Sequence, residues 1–599
     1  MKTVECLRIL AIVGAGLPAF AQSVNGTLTG IVTDPADAVI VNATVSARDR
    51  ATGITTTTRT TAAGAYSLSL RPGVYEVMVE LPGFRTSVSS NLEVNIGQTT
   101  RFDIRLQVGE VTERVTVEAT APLISMETSE LGAVVRSQTV LDLPLSTPGQ
   151  RRMADTFTLL IPGVTTGAGS GGSYANLQWD RGGQWQTNGS QENSREVLYD
   201  GISIGEIHSP GRFWAGSPPP DSIQEFKMLT GSYSAEYGRS AGGIITLTTR
   251  SGGNDFHGSA YNFLRNEKLH ARGFFAPSRQ KDIQNEFGAT FGGPVRIPKL
   301  YDGRNRTFFY AFYNGLRWRT SSANELVTVP RPEFLQGDFS GLLDARGQQR
   351  IIYDPRTSRR LPNGDIERDP FPGNRIPADR ISPVSRNVAA LLPAPTLPGQ
   401  TRNFVGVRST ISDDNRWQAK LDHVLNEQHR LSGLYSWGKF VRDGSGPLPD
   451  RIFSGFTTRD ERAHLARVAH DWMIGPTLVN RLSFGFNRDA PFTGSPTVGE
   501  GWPARLGLQG TGDDAGGAFP RINFGSEVDD GVGLGGEANS YQAESSFIVS
   551  NVMTKIAGRH SMRFGGDFRY YQLNARVFHR THGTFNFGSG FTSNPASPN

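Results

Sequence analysis

Along residues 559–570, apolar and polar side chains alternate, with a glycine in each set. One face of this segment would carry Met562, Phe564, Gly566, Phe568 and Tyr570, and the other would carry Ser561, Arg563, Gly565, Asp567 and Arg569. Successive side chains of a strand point to opposite faces, so the alternation predicts a β-strand with one lipid-facing side and one wet side. The same pattern returns at 417–425 and 482–487. A soluble sandwich alternates similarly, but the density of aromatic residues favours a transmembrane barrel.

The N-terminus predicts a secretory signal peptide over residues 1–21. Lys2 and Arg8 supply positive charge, residues 9–20 are mostly apolar, and Ala19-Phe20-Ala21 is a small-x-small cleavage site. A first transmembrane helix would need roughly 20 apolar residues, which this segment lacks. Cys6, the only cysteine, would leave with the signal. A mature chain without thiols cannot form disulfides, and it suits an oxidising envelope compartment.

Beyond residue 21 no run of roughly 18 or more apolar residues occurs, so the sequence predicts no membrane-spanning helix in the mature chain. Any spanning structure must then be a closed β-barrel. The 70 glycines and 10% aromatic residues suit many short strands and turns. The formal net charge of +5, without a long Lys/Arg block, gives no support for nucleic-acid binding.

Residues 22–108 predict a small β-sandwich. Short alternating segments follow one another there, separated by turn residues such as Asp34-Pro35, Thr52-Gly53 and Arg71-Pro72-Gly73. Together with Gly64-Ala65-Tyr66 and Gly83-Phe84, this succession resembles the carboxypeptidase regulatory-like domain, a non-catalytic accessory module with a carbohydrate-binding-like fold. No histidine lies between residues 25 and 108, so this stretch cannot build a peptidase zinc site.

Residues 109–130 form a polar linker in which Glu113-Arg114-Val115-Thr116-Val117-Glu118-Ala119 alternates between apolar and polar side chains. This heptapeptide resembles a TonB box. An extended segment of this kind can add as a strand to the edge of a partner sheet. We expect its backbone to stay free for that pairing. A plain edge strand or linker is the alternative interpretation.

Residues 131–250 resemble the plug domain of TonB-dependent transporters. The resemblance is carried by Leu159-Leu160-Ile161-Pro162-Gly163-Val164 and by Glu196-Val197-Leu198-Tyr199-Asp200-Gly201-Ile202-Ser203-Ile204. The Asp200-Gly201 pair also predicts a tight hairpin in its own right. After three prolines at 218–220, Ser222 and Glu225 have the spacing of a capping box, which predicts a short helix followed by a strand.

The most specific resemblance lies in residues 233–250, which include Tyr237-Gly238 and Gly242-Gly243. This run is similar to the closing segment of plugs in the Oar-like group, and residues 252–259 continue the similarity into a first barrel strand. Ile244, Leu247 and the glycine pair suit a tightly packed closing strand. We therefore expect the plug to lie against barrel strands.

Residues 251–599 are expected to form the N-terminal part of a barrel, with the Pro/Gly-rich segments 322–410 and 489–540 as extracellular loops. Plugged barrels have about 22 strands of about 9 to 11 residues, so this length leaves room for about half of one. The chain also ends without a terminal aromatic residue, and we expect a fragment or a truncated reading frame. The predicted fold class is mainly β: an N-terminal β-sandwich, an α/β plug domain and an incomplete antiparallel transmembrane β-barrel.

The sequence predicts no catalytic, cofactor-binding or metal site. His464 and His470 lie about 20 Å apart on a strand, and lumen-facing or solvated histidines are expected. A glycine-rich run at 167–172 lacks the lysine of a phosphate loop. Alternating amide and acidic residues at 363–369 would suit calcium, although a solvated loop is favoured. No Ser/His/Asp set can be assembled, so no enzymatic activity is predicted.

The resemblance implies a protein of the cell outer membrane with a periplasmic N-terminal domain. It implies plug-gated, TonB-dependent transport of a substrate too large for porins. The implied partners are a TonB-type energy-transducing complex, outer-membrane lipid and an unknown substrate, for which a glycan or a peptide is worth testing. A surface adhesion or structural outer-membrane protein without transport is the alternative, although such a protein needs no plug. A secreted peptidase has the least support, because zinc ligands are missing.

Overall fold

A computed structural model describes residues 25–110, 114–118, 129–136, 139, 151–166, 185–191, 194–205, 218–274, 278–322, 324–344, 346–453, 458–475, 477–511, 517–524, 533–536, 539–557, 560–578 and 582–596. The predicted signal peptide and the glycine-rich run at 167–172 lie outside these residues. In the described part of the chain, no helix combines the length and the apolar character needed to cross a membrane.

The N-terminal domain is a two-sheet β-sandwich. Its strands are β1 (Gly26–Thr33), β2 (Thr44–Asp49), β3 (Thr55–Arg59), β4 (Ala65–Leu70), β5 (Gly73–Glu80), β6 (Thr86–Val94), β7 (Thr99–Arg101) and β8 (Ile104–Arg105). One sheet has the order β4-β1-β7, with β8 also paired to β1, and the other contains β3-β2-β5-β6. Alternate residues point between the sheets and form an apolar core that includes Leu28, Val45, Tyr66, Leu68, Tyr75 and Val77. The predicted sandwich is confirmed.

The next strands are β9 (Arg114–Glu118), β10 (Leu131–Arg136), β11 (Val164–Thr166), β12 (Trp185–Thr187), β13 (Glu196–Tyr199), β14 (Ile202–Ser203), β15 (Ile223–Gly231) and β16 (Ile244–Thr249). Five of them form the plug sheet, in the order β10-β15-β16-β13-β14. A 3₁₀ helix at Ala154–Leu160 packs on this sheet through Phe157, which meets Phe226 edge to face with ring centroids 6.0 Å apart.

The predicted capping box at Ser222 and Glu225 is wrong. Only a single 3₁₀ turn forms, at Pro220–Ser222, and β15 begins at the next residue. The Ser222 hydroxyl donates to the Pro219 carbonyl, and the Glu225 carboxylate accepts the Ile96 N–H of the sandwich at 2.7 Å. The Glu225 side chain, which the local spacing assigned to a helix cap, thus binds the neighbouring domain instead.

The remaining strands are β17 (His257–Asn266), β18 (Asp282–Pro294), β19 (Arg296–Ile297), β20 (Tyr301–Asp302), β21 (Thr307–Ser321), β22 (Glu325–Val327), β23 (Arg359–Arg360), β24 (Ile366–Glu367), β25 (Phe404–Gly406), β26 (Ser409–Val424), β27 (His429–Ser445), β28 (Thr458–Gly475), β29 (Leu478–Gly494), β30 (Arg521–Asn523), β31 (Asn539–Ala557), β32 (His560–Phe578) and β33 (Thr584–Asn586). In the described residues, nine of them form one sheet in the order β17-β18-β21-β26-β27-β28-β29-β31-β32, and each neighbouring pair is antiparallel.

The alternation predicted for the barrel strands is confirmed. On β32, Phe564 and Phe568 are 53% and 54% exposed, whereas Arg569 contacts the plug. On β26, Trp417 and Leu421 are exposed, while the intervening polar residues are buried against the plug and the sandwich. The strands β26 to β29, β31 and β32 have 16 to 19 residues, more than the roughly 9 to 11 that a crossing needs.

The two ends of the large sheet differ. At one end, here called the short-turn end, short segments such as 425–428 join the strands, and the sandwich lies against this end. At the other, the long-loop end, extended segments carry α1 (Pro332–Leu335), α2 (Pro383–Ala389), α3 (Trp502–Leu506) and several 3₁₀ turns. These segments pack around an apolar core that includes Val329, Phe453, Trp502, Phe519 and Ile522. The long loops therefore fold into a shared structure.

Candidate functional site

The predicted hairpin at Asp200-Gly201 forms, and its tip reaches the barrel sheet. Asp200 and Gly201 have φ angles of 47° and 86°, and the turn pairs Tyr199 with Ile202. Such positive angles favour Asp-Gly in a two-residue turn. The Ile202 side chain packs on Gly485 of β29, where any larger residue would collide with it.

Asp200 also connects the plug to the barrel. Its carboxylate accepts the backbone N–H of Thr249 at 2.9 Å and the Thr249 hydroxyl at 2.6 Å. Lys420 of β26 donates to the same hydroxyl at 2.9 Å and lies 3.4 Å from the Asp200 carboxylate. The sequence identified Asp200 as a turn former, but no local signal indicated its barrel partner.

Tyr199, beside this turn, is buried and donates its hydroxyl to Gln418 of β26 at 2.5 Å. Burial raises the pKa of the Tyr199 hydroxyl well above its ordinary value, so the group remains a neutral donor. On the other side of the hairpin, Arg467 of β28 donates to the Phe486 carbonyl at 3.0 Å and to the Asn487 side chain at 2.7 Å. Asn487 in turn donates to the Ser203 carbonyl of the plug at 3.0 Å.

A second group of contacts joins the start of the plug to the first barrel strands. Arg151 lies 3.1 Å from Asp414 of β26, and both side chains are almost fully buried. Arg152 lies 2.6 Å from Asp221 of the plug and 3.4 Å from Glu286 of β18. The Arg152 guanidinium also stacks on the rings of Tyr261 and Phe263, at 4.7 and 4.1 Å. No sequence pattern indicated these pairs, because their members are distant along the chain.

The closing segment and β13 of the plug contact β32. Glu236 lies 2.7 Å from Arg563, and Glu196 lies 3.3 Å from Arg569. Plug residues therefore contact β18, β26, β29 and β32 on the inward face of the sheet. The expectation that the plug lies against barrel strands is confirmed.

The glycines of this segment have different structural roles. Gly243 has a φ of 104°, and a Cβ there would lie 2.9 Å from the Leu229 carbonyl. A Cβ on Gly242 would lie 2.5 Å from the Ser194 hydroxyl. Tyr237 is buried beside them. Nothing lies within 4 Å of a Cβ on Gly238, so packing does not explain that glycine.

Within the segment that resembles a TonB box, Arg114–Glu118 form β9, while Glu113 and Ala119 lie outside the described residues. β9 adds in parallel to the edge of the sandwich at β6, with Val115 opposite Ser87 and Val117 opposite Ser89. The expectation of a free backbone is therefore wrong for this state, because the sandwich itself supplies the partner strand.

Histidines were expected to be lumen-facing or solvated, and the first of these does not hold for His464 and His470, which share the outer face of β28 with the exposed Val468 and Trp472. His470 bonds with His429 at 3.0 Å, and His464 bonds with the Tyr435 hydroxyl at 2.7 Å. No group of three His, Cys, Asp or Glu side chains that could hold a metal occurs among the described residues.

The loop at 363–369 uses its acidic groups in other contacts. Arg359 lies 2.8 Å from both Glu367 and Asp369, and Asn363 donates to Asp365 at 2.7 Å. These side chains thus bind one another within the loop, and their arrangement does not support a calcium site there.

Comparison with known proteins places these features in a family. The carboxypeptidase regulatory-like domain family matches residues 27–107, the TonB-dependent receptor plug domain family matches residues 137–244, and the outer membrane beta barrel domain family matches residues 248–599. The TonB-dependent transporter Oar of Myxococcus xanthus is 30% identical over 314 residues. That match covers 48% of this chain and 27% of the relative, so the chain spans about a quarter of the length of Oar.

Two solved structures share less sequence. The outer membrane transporter YddB from Escherichia coli is 9% identical, with a TM-score of 0.42 over 74% of this chain and 48% of that one. The siderophore receptor PirA from Acinetobacter baumannii is 12% identical, with a TM-score of 0.38 over 74% of this chain and 48% of that one. The outer membrane beta barrel domain family matches more than half of the chain, directly after a TonB-dependent receptor plug domain and a regulatory-like sandwich, so the chain belongs to this family of outer-membrane barrel proteins.

Proposed function

We propose that the protein carries out plug-gated, TonB-dependent transport across the outer membrane of a substrate too large for porins. The observation that best supports this proposal is the position of the plug, whose hairpin and closing segment contact the inward face of the barrel sheet. Most of these contacts are hydrogen bonds and ion pairs. Polar contacts exchange for water at a small net cost in free energy, so a plug seated in this way can be moved and reseated.

The alternative, an adhesion or structural protein, does not account for these contacts. An adhesin needs exposed binding surfaces, and the folded segments of the long-loop end could provide them. It has no use for a domain that occupies the inward face of a barrel.

Reconstitution of the full-length protein in liposomes distinguishes the two functions without knowledge of the cargo. We expect no swelling in isotonic maltodextrin with the intact protein and rapid swelling with a variant that lacks residues 131–250. A variant that lacks residues 25–108 is the control and should remain closed, because its plug is intact. A plug-deleted protein that stays closed would contradict plug gating and favour the structural alternative.

We propose that residues 113–119 engage a TonB-type complex and that the cargo is a glycan or a peptide. The strand conformation of Arg114–Glu118 supports the first point, because strand addition needs an extended backbone. The cargo class rests on the resemblance of the sandwich to carbohydrate-binding-like folds. A glycan array and a peptide library, each screened with the full-length protein, test it, and the absence of binding to both would contradict it.

A further inference from the structure

A cavity of about 780 Å³ lies where the sandwich, the plug and the short-turn end of the barrel meet. The sandwich contributes Ile54, Val74 and Tyr75 to its wall, the plug contributes Thr249, and the barrel contributes Phe308 and Arg430. Pockets of roughly 300 to 1,000 Å³ are the size that encloses a small organic molecule. Nothing in the proposed transport assigns an occupant to this space.

The cavity walls are held in place by direct contacts between the domains. Arg71 of the sandwich lies 2.8 Å from Asp422 of β26. Asn254, just before β17, donates its side-chain amide to the Thr52 carbonyl at 2.7 Å. Ile96 donates its N–H to Glu225 of the plug at 2.7 Å. These contacts surround the cavity, so its shape is set by the docked sandwich.

Arg50 in the cavity wall is exposed, and among the other described Lys and Arg side chains of the wall only Arg430 has no acidic partner. Arg71 is paired with Asp422, Lys420 with Asp200, and Arg481 with Asp471 at 2.7 Å. Arg430 is only 9% exposed, and it donates to the Thr56 hydroxyl at 2.7 Å. Its Nε atom is buried without an acceptor, and no carboxylate of the described residues lies within 4.0 Å of it.

The cavity wall also includes the carboxylate of Asp49, the last residue of β2. Asp49 accepts the backbone N–H of Ala51 at 2.8 Å. It is not within ion-pair distance of Arg430 in the described structure. Asp471 lies opposite Arg430 on β28 but is paired with Arg481. A buried guanidinium without an ion-pair partner of its own is unfavourable unless an anion compensates its charge.

We propose that this cavity binds an organic carboxylate, with Arg430 as its anchor. The planar guanidinium offers a fork of N–H donors that matches a carboxylate. The Thr56 hydroxyl accepts from Arg430 and retains its own proton to donate to the same ligand. Ile54, Val74 and Phe308 offer apolar surface for the organic part. An inorganic anion would leave that surface unused.

Calorimetric titration of the full-length protein in detergent micelles tests the assignment with benzoate, benzamide and inorganic phosphate. Benzoate and benzamide share one shape, but only benzoate carries a charge. We expect benzoate to bind at least tenfold more tightly than benzamide or phosphate. Equal affinity for benzamide would overturn the role of Arg430, and equal affinity for phosphate would overturn the organic class of the ligand.

Variants locate the site. We expect Arg430→Gln to weaken benzoate binding at least tenfold, and Arg430→Lys, which keeps the charge without the planar fork, to weaken it about threefold. Arg442→Gln is the matched control, because Arg442 lies on the same face near the other end of β27. Its affinity should be unchanged. Benzoate affinity that is unaltered in both Arg430 variants, or equally reduced in Arg442→Gln, would overturn the proposal. These outcomes do not depend on whether the protein transports anything.

Discussion

The ammonium group of Lys420 in β26 lies 3.4 Å from the carboxylate of Asp200 in the plug hairpin, and the two side chains are only 8% and 12% exposed. The pair joins two residues that are 220 positions apart in the sequence. It makes the Asp200-Gly201 turn part of the plug–barrel interface.

Lys420→Met should destabilise the seated plug by about 3 kcal/mol, because loss of one partner leaves a buried charge uncompensated. Limited proteolysis of the plug across a urea series measures this. Arg319→Met is the control, since the Arg319 and Asp413 side chains are about one third exposed, at 34% and 35%. Loss of such a partly exposed pair should cost less than about 1 kcal/mol. An equal loss of plug stability in the two variants would contradict the importance of the buried pair.

A disulfide between Ile202→Cys and Gly485→Cys should lock the hairpin to β29. A Cβ on Gly485 would lie 3.3 Å from the Ile202 Cβ, close to the separation of roughly 3.5 to 4.5 Å found in disulfides. The only natural cysteine is Cys6, within the predicted signal peptide. We expect TonB-dependent uptake to stop under oxidation and to return with reductant. Ile202→Cys alone should transport under both conditions. Full uptake by the crosslinked protein would show that transport does not require the hairpin to move away from β29.

Gly243→Ala and Gly238→Ala place the same change at two positions of the closing segment, only one of which has a strained backbone for alanine. Comparing their stabilities tests whether backbone strain is the cause of the loss. The first should destabilise the plug by about 2 kcal/mol, because alanine is strained at a positive φ and meets the Leu229 carbonyl. The second should change stability by less than about 0.5 kcal/mol, since its Cβ meets open space. The urea series again provides the measurement, and a larger effect at Gly238 would contradict this assignment.

Val115→Pro and Val117→Pro should abolish uptake and crosslinking to TonB while membrane insertion remains normal. Proline lacks the N–H that strand pairing needs. Thr116→Ala should have a much smaller effect, because strand addition depends mainly on the main chain. Since β9 pairs with β6, a TonB-type partner that uses this segment would have to displace the sandwich edge or bind the segment after its release. Normal uptake by both proline variants would place the coupling elsewhere.

The long-loop end should loosen in acid through Asp354. Hydrogen bonds from Arg380 and from the Arg356 N–H lower the pKa of Asp354 from 3.8 to about 2. Because the folded state depresses this pKa, the contribution of Asp354 to stability is complete above pH 3.8 and is lost as the pH falls towards 2. Hydrogen exchange of residues 350–380 should accelerate across that window. Asp354→Asn should remove this part of the pH dependence, and an unchanged profile in the variant would contradict the assignment.

The sequence by itself determined the features that depend on neighbouring residues. The alternation on β26, β29 and β32 predicted both faces of the strands, because a strand turns successive side chains to opposite sides. The turn residues of the sandwich and the Asp200-Gly201 pair predicted where the chain reverses, because their backbone preferences are intrinsic.

Only the tertiary structure decided which distant side chains meet. Glu225 had the spacing of a helix cap, yet it binds Ile96 of the sandwich. The segment that resembles a TonB box was expected to be free, yet it pairs with β6. No sequence pattern singled out Arg430, which is buried and donates to Thr56 of the docked sandwich. Such contacts depend on the relative positions of whole domains, and residues far apart along the chain leave no spacing from which those positions can be predicted.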